Sequence, residues 1–158
     1  MTIRVVSSAE EMEAVRTLFR EYAAEFADSP GSHLCFQSFE QEVAGLPGPY
    51  TPPTGCLLLA TVGDDPAGCV ALRQLADGVC EMKRLYVRGR YRGTGLGRRL
   101  TEQILLEAKR LGYQAIRLDT VPSVMGSAVA LYRSLGFRDI PAPCSNPVPG
   151  AVFMELQL

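Results

Sequence analysis

Leu85-Tyr86-Val87-Arg88-Gly89-Arg90-Tyr91-Arg92-Gly93-Thr94-Gly95-Leu96-Gly97-Arg98-Arg99-Leu100 carries the most information in the chain. A strand ends at Val87, a tight glycine-rich turn follows, and an amphipathic helix begins. Three glycines in five positions, at 93, 95 and 97, leave backbone N–H groups uncovered where they feed a helix N-terminus. Seven cations lie between Lys83 and Arg99 with no acid among them. Together these features read as a site for one compact polyanion, with a pyrophosphate as its natural guest. The glycines taken alone also suit a plain structural turn. The nucleotide P-loop needs Gly-Lys-Ser/Thr, which is absent, and glycines at alternate positions differ from G-x-G-x-x-G.

Working outward, residues 56–62 and 67–75 read as strands joined by the turn Gly63-Asp64-Asp65-Pro66. A second turn, Ala76-Asp77-Gly78, leads into a third strand, 79–87, so that 56–87 forms a meander. Residues 97–111 predict a helix with Leu100, Ile104, Ala108 and Leu111 on one side and Gly112 as its stop. A strand at 115–120 follows, then a helix at 127–135 ended by Gly136, and two closing strands at 137–140 and 151–158. At the other end, 2–6 is a short strand. Ser8 caps the next helix with Glu11 completing a capping box, and Met12, Val15, Phe19, Tyr22 and Phe26 recur at helical spacing. Ser38 and Gln41 suggest a cap for a short helix carrying Phe39, Val43 and Leu46. Strand–helix–strand in the later half requires a parallel crossover, whereas the meander is antiparallel. The expected fold is α/β (α+β): one domain, residues 1–158, with a central mixed, mostly antiparallel sheet flanked by helices.

Composition sets the limits. The chain has 158 residues, 47% of them hydrophobic, enough for one domain with a real core. No apolar run approaches the length of a membrane span, and the apolar stretch in MTIRVVSSAEE is too short for a signal peptide. A cytoplasmic protein without membrane attachment is the expectation. The formal net charge of −1 hides a split: residues 1–80 hold 4 basic and 11 acidic side chains, residues 81–158 hold 12 and 6. The positive charge is too local for a nucleic-acid surface. Cysteines at 35, 56, 69, 80 and 144 form neither a disulfide framework nor a zinc ribbon. Cys56, Cys69 and Cys80 sit in strand-like runs and read as buried thiols. His33 has no second histidine with which to share a metal, so no metal site is expected.

Two motifs point to a family. Arg92-Gly93-Thr94-Gly95-Leu96-Gly97 matches R/Q-x-x-G-x-G/A, the pyrophosphate signature of the GNAT superfamily (GCN5-related N-acetyltransferases). Ala128-Val129-Ala130-Leu131-Tyr132-Arg133-Ser134-Leu135-Gly136-Phe137 resembles that family's A-x-x-L-Y-x-x-x-G-F. Met82 to Val87 looks like its central strand, and the resemblance extends over essentially the whole chain. It implies acetyl transfer from acetyl-CoA, a co-substrate, to an amine by direct attack in a ternary complex. Leu85, Tyr86 and Val87 would pair with the pantetheine arm like an added strand. Arg92, Gly93, Thr94, Gly95, Leu96, Gly97 and Arg98 would hold the pyrophosphate, and the thioester would sit where the central strand splays from strand 115–120. One position departs from the pattern: Met125 stands where similar proteins often carry an Asn that bonds the pantetheine.

The resemblance also suggests roles. Tyr132 is the general-acid candidate, because a phenol with an ordinary pKa near 10 is protonated at neutral pH and can donate to a departing thiolate. Glu81 is the general-base candidate, directly or through water, although a carboxylate near pKa 4 matches an ammonium poorly unless burial raises it. The N–H of Leu85 is the candidate oxyanion donor. Lys83 and Arg84 are adjacent on a strand and should face opposite sides, so at most one faces the cleft. Arg98 or Arg99 is placed to pair with Glu102. Acceptor recognition is assigned to 26–39 and to the loop 141–150, and the acids Glu21, Glu25, Asp28, Glu40 and Glu42 suit either a cationic amine or a solvated face. The acceptor is a small-molecule amine or a peptide or protein amine, with monomer and homodimer both open. The alternative function is a non-enzymatic acyl-CoA-binding or sensor module, for which Met125 is the sequence hint.

Overall fold

The computed structural model describes residues 1–27, 38–142 and 150–158, with the backbone alone for 123–126. His33, Cys35, Cys144, Asp28, most of the two acceptor segments and the Met125 side chain therefore lie outside the described residues. The elements are β1 (Thr2–Val5), α1 (Ala9–Glu25), α2 (Phe39–Ala44), β2 (Cys56–Val62), β3 (Asp65–Ala76), β4 (Val79–Val87), α3 (Leu96–Arg110), β5 (Ala115–Thr120), α4 (Pro122–Ser134), β6 (Arg138–Ile140) and β7 (Val152–Gln157). Single 3₁₀ turns at Gly48–Tyr50 and Gly89–Tyr91 were not expected.

One seven-stranded sheet runs β1-β2-β3-β4-β5-β7-β6. The only parallel pair in that order is β4 with β5, bridged by α3, and every other pairing is antiparallel. This is the expected mixed sheet. Alternation along the strands divides the core in two. Leu58, Val70, Leu72, Met82 and Ile116 face α3 and α4, meeting Leu96, Leu100, Ile104 and Tyr132. Leu57, Leu59, Cys69, Ala71 and Tyr86 face α1 and α2, meeting Val15, Leu18, Phe19 and Val43. Each fully buried aliphatic side chain of these layers contributes about 1.5–3 kcal/mol. Among the described residues, no helix is long and apolar enough to cross a membrane.

Local signals account for most boundaries. The Ser8–Glu11 capping box is present in both directions, Ser8 Oγ accepting from the Glu11 N–H at 3.0 Å and Glu11 Oε1 accepting from the Ser8 N–H at 3.1 Å. Two expectations are corrected. Ser38 precedes α2 but adopts φ 62° and makes no side-chain cap, because the left-handed backbone turns its hydroxyl away from the helix amides. Helix α4 starts at Pro122, five residues before the expected start, with proline in the first turn, where a missing N–H costs nothing. Cys56, Cys69 and Cys80 are buried free thiols. Burial pushes the Cys56 thiol up to about 11 and that of Cys80 up to about 12, so neither is a thiolate at neutral pH.

Candidate active site

Strands β4 and β5 pair only at Val79–Ala115, Cys80–Ile116 and Glu81–Arg117, and then part. Beyond Glu81 one edge of β4 has no strand partner, while the other stays paired to β3 as far as Val87–Gly68. The Arg88 N–H donates to the Ala67 carbonyl across that β3 side. Alternation then turns the N–H groups of Val87 and Leu85 the other way, into the gap.

A bulge sits in the middle of this edge. Arg84 has φ 60°, and the β3–β4 register jumps between Cys69 and Ala71. The extra residue breaks the two-residue alternation. Consequently Lys83 and Arg84 both line a cavity of about 90 Å³ between the parted strands, with Met82, Leu85, Leu118, Asp119, Thr120, Val121, Tyr22 and Tyr132. The expectation that at most one of the two cations faces the cleft is thereby corrected.

A second cavity, of about 300 Å³, adjoins the first and shares Tyr22, Leu85 and Tyr132 with it. Tyr86, Val87, Arg92, Gly93, Gly95, Leu96 and Gly97 line it, with Glu25, Phe26, Tyr91, Ser127, Ala128 and Leu131. Among the described residues, none of the N–H groups from Gly93 to Arg98 has a main-chain acceptor. Gly93 and Gly95 take φ 78° and 85°, which suits glycine, and a Cβ at either would meet nothing within 4 Å. A Gly95→Val change would therefore act through backbone strain rather than through crowding. Thr94 and Arg98 do not line the cavity. The Thr94 hydroxyl donates to the Tyr91 carbonyl at 2.5 Å, and Arg98 pairs with Glu102 at 2.9 Å, as its spacing suggested.

The charge split between the two halves is largely consumed inside the molecule. Glu21 pairs with Arg88 at 2.7 Å, Glu25 with Arg92 at 2.7 Å and Glu42 with Arg84 at 2.9 Å. Asp65 accepts from Arg88, Arg90 and Tyr91, fixing the turn that precedes the glycines. The acids of α1 and α2 therefore anchor the basic segment; of the five acids named from the sequence, Glu25 and Glu40 are exposed among the described residues, and Glu40 makes none of these ion pairs. Arg92 also donates to the Val87 carbonyl at 2.8 Å and lies over the Tyr86 ring.

Tyr132 is 5% exposed, packs against Phe137 and borders both cavities. Burial, then the charges of Tyr22 and Asp119, hold its phenol above the ordinary value, so it stays protonated at neutral pH. Glu81 sits at the last paired position of β4, with Arg73 at 3.0 Å and Lys83 at 3.7 Å, and lines neither of these two cavities. Asp119 was not anticipated from the sequence. It stands on β5 past the last pair with β4, reached by solvent yet crowded by protein. Burial, then the charge of Glu81, holds its carboxyl above the usual aspartate range. The signal was available in Ala115-Ile116-Arg117-Leu118-Asp119-Thr120, where a carboxylate interrupts a strand otherwise mostly buried.

Known proteins resemble this chain in sequence and in fold. The profile of the acetyltransferase (GNAT) family matches residues 12–137. An uncharacterized N-acetyltransferase of Schizosaccharomyces pombe is 37% identical over all of this chain and 95% of its own. N-acetylaspartate synthetase of Rattus norvegicus is 35% identical over 63% of this chain and 33% of its own. Among solved structures, the PaiA N-acetyltransferase of Thermoplasma acidophilum in complex with coenzyme A superposes with a TM-score of 0.77, at 19% identity and full coverage of both chains.

Proposed function

Because this chain belongs to the acetyltransferase (GNAT) family, we propose that it transfers an acetyl group from acetyl-CoA to an amine in a ternary complex. One observation carries the reading: the glycine turn at Gly93, Gly95, Leu96 and Gly97, whose N–H groups have no main-chain acceptor, the free edge of β4 and Tyr132 all border two cavities that meet at Leu85 and Tyr132. The donor set fits the cofactor. Helix N-terminal amides take phosphate oxygens, a strand edge takes an amide-bearing arm by strand addition, and the gap between β4 and β5 takes the acyl end.

In this reading the N–H groups of Gly93, Gly95, Leu96 and Gly97 hold the pyrophosphate. Thr94 keeps the turn closed, Arg92 supplies a cation, and Arg98 stands beside the helix start. Leu85, Tyr86 and Val87 form the strand edge that binds the pantetheine, with the N–H of Leu85 or Val87 aimed at the acyl oxygen as negative charge develops there. Acetyl-CoA supplies the activated acyl carbon when bound. Tyr132 donates its hydroxyl proton to the departing sulfur and regains one from the attacking nitrogen, while the other ammonium proton passes to solvent. Glu81, clamped by Arg73 and Lys83, acts as a positioning charge or through water; its ion pairs place it poorly for direct proton abstraction. The partial match to N-acetylaspartate synthetase makes a free amino acid a reasonable acceptor, alongside other small amines and peptide amines. The enzyme is expected to work in the cytoplasm, as a monomer or homodimer, and to use no metal.

The test is amine-dependent appearance of free CoA thiol from acetyl-CoA. Release above the hydrolytic background with at least one class of amine is the expected result. Saturable acetyl-CoA binding with no release for any amine would overturn the enzyme reading in favour of a binding module.

A further inference from the structure

The cavity between the parted ends of β4 and β5 holds a charge arrangement that acyl transfer alone leaves unused. Arg84 is neutralised, because its guanidinium makes bonds of 2.9 and 3.1 Å to the two oxygens of Glu42 and its side chain is 8% exposed. Glu81 is shared by two cations, with Arg73 the nearer at 3.0 Å and Lys83 at the limit of pairing, 3.7 Å. One carboxylate against two cations leaves one positive charge over, and Lys83 is the member of that trio that lines the cavity. On the facing strand, Asp119 lines the same cavity; among the described residues it forms no ion pair within 4.0 Å, and the charges of Lys83 and Arg84 act on it from farther away. The walls thus present one surplus cation and one unpaired carboxylate, on opposite strands, beside Tyr132.

We propose that this cavity is the acceptor subsite and selects small amines that also carry a free carboxylate, namely free amino acids, with the ammonium on Asp119 and the carboxylate on Lys83. The inference rests on the acyl-transfer reading and deepens it. A zwitterion satisfies both wall charges at once. A diamine would put its second cation against Lys83, and an amine without a second charge leaves Lys83 unmatched. Size points the same way, since about 90 Å³ lies well below the roughly 300–1,000 Å³ of sites for drug-sized ligands. The transfer balances as before: the nitrogen–carbon bond forms and the carbon–sulfur bond breaks. One ammonium proton leaves through Asp119 to solvent, and a second replaces the proton that Tyr132 gives to sulfur.

The experiment uses the whole purified chain with acetyl-CoA, thiol release as the readout, and as probes the twenty amino acids and the α-carboxamide of each. At least one amino acid should be acetylated with kcat/KM about tenfold or more above its carboxamide. Lys83→Met should raise KM for that amino acid by about tenfold and remove its advantage over the carboxamide, with acetyl-CoA affinity unchanged. Lys83→Arg, which keeps the charge, should retain the preference. Asp119→Asn should raise KM for amino acid and carboxamide alike. Three outcomes overturn the inference alone: carboxamides or simple amines acetylated as well as amino acids, a preference that survives Lys83→Met, or no amino-acid turnover by protein that acetylates another amine. Failure of the folded protein to bind acetyl-CoA would instead remove the acyl-transfer reading on which the inference stands.

Discussion

Glu25 occupies a position that should oppose its own ligand. It is the last residue of α1, lines the larger cavity, and holds Arg92 at 2.7 Å, so the arginine assigned to the pyrophosphate already has an anion. That bond is the leading cause that keeps the Glu25 carboxyl below the usual range, so it is charged at neutral pH. The pair is 47% and 36% exposed, which limits its contribution to folding to about 0.2–1 kcal/mol. Glu25→Gln should therefore barely move the melting temperature. Its effect on binding is larger in sign than in size. A unit charge about 6 Å from a phosphate in near-aqueous surroundings costs about 0.7 kcal/mol, and more where the site is drier. Removing it and releasing Arg92 should tighten acetyl-CoA binding by roughly three- to tenfold at low salt. The assay is titration calorimetry of wild type, Glu25→Gln, Arg92→Gln and the double variant, at about 0.02 and 0.5 M salt, where screening lengths differ several-fold. The gain should shrink at high salt and largely vanish in the Arg92→Gln background. Unchanged or weaker binding by folded Glu25→Gln at low salt would refute the reasoning.

Three further outcomes follow from the same geometry. Tyr132→Phe should lower kcat by one to two orders of magnitude with little change in acetyl-CoA affinity; an unaltered kcat across pH, with chemistry rate-limiting, would remove Tyr132 as the acid. Gly68→Ala should destabilise the fold by about 1–3 kcal/mol, because the new Cβ would lie 2.6 Å from the Tyr86 carbonyl and 3.1 Å from Leu100 Cδ1; an unshifted melting temperature would show that β4 and α3 yield freely there. Asp119→Asn should stabilise the protein at neutral pH. Burial and Glu81, against the weaker pull of Lys83 and Arg84, raise the folded-state pKa of Asp119. Its ionised form therefore costs stability above that pKa, and the cost fades as pH falls through it toward the ordinary aspartate value near 3.9. Melting curves of wild type and variant should converge at acid pH, and a variant less stable than wild type at pH 7 would contradict this sign.

Much of the fold is written in short-range pattern. Strands 56–62, 79–87 and 115–120 lie where alternation and flanking glycines put them, and the reciprocal bonds of Ser8 and Glu11 begin α1 where the capping box said. The early start of α4 escaped notice because Pro122-Ser123-Val124-Met125-Gly126 has no helical periodicity, although a proline in the first turn is itself a start signal. The bulge at Arg84 is invisible to periodicity, since one inserted residue changes which side chains share a face without changing their identity. The charge split misled for a related reason: composition counts Glu21, Glu25 and Glu42 as an acidic half, and only the tertiary structure shows each of them taken by an arginine of the other half. Tyr132 and the glycine turn were legible as neighbours through family motifs. Asp119 was not, because its importance depends on where β4 leaves β5.

The central claim is that the glycine turn and the free edge of β4 form an acyl-CoA cleft. Calorimetric titration of the folded, ligand-free protein with acetyl-CoA tests it most directly. The account predicts saturable one-to-one binding, weakened when Gly95 is replaced by valine. Absence of binding heat at any acetyl-CoA concentration, with the protein folded and free of co-purified CoA, would contradict it.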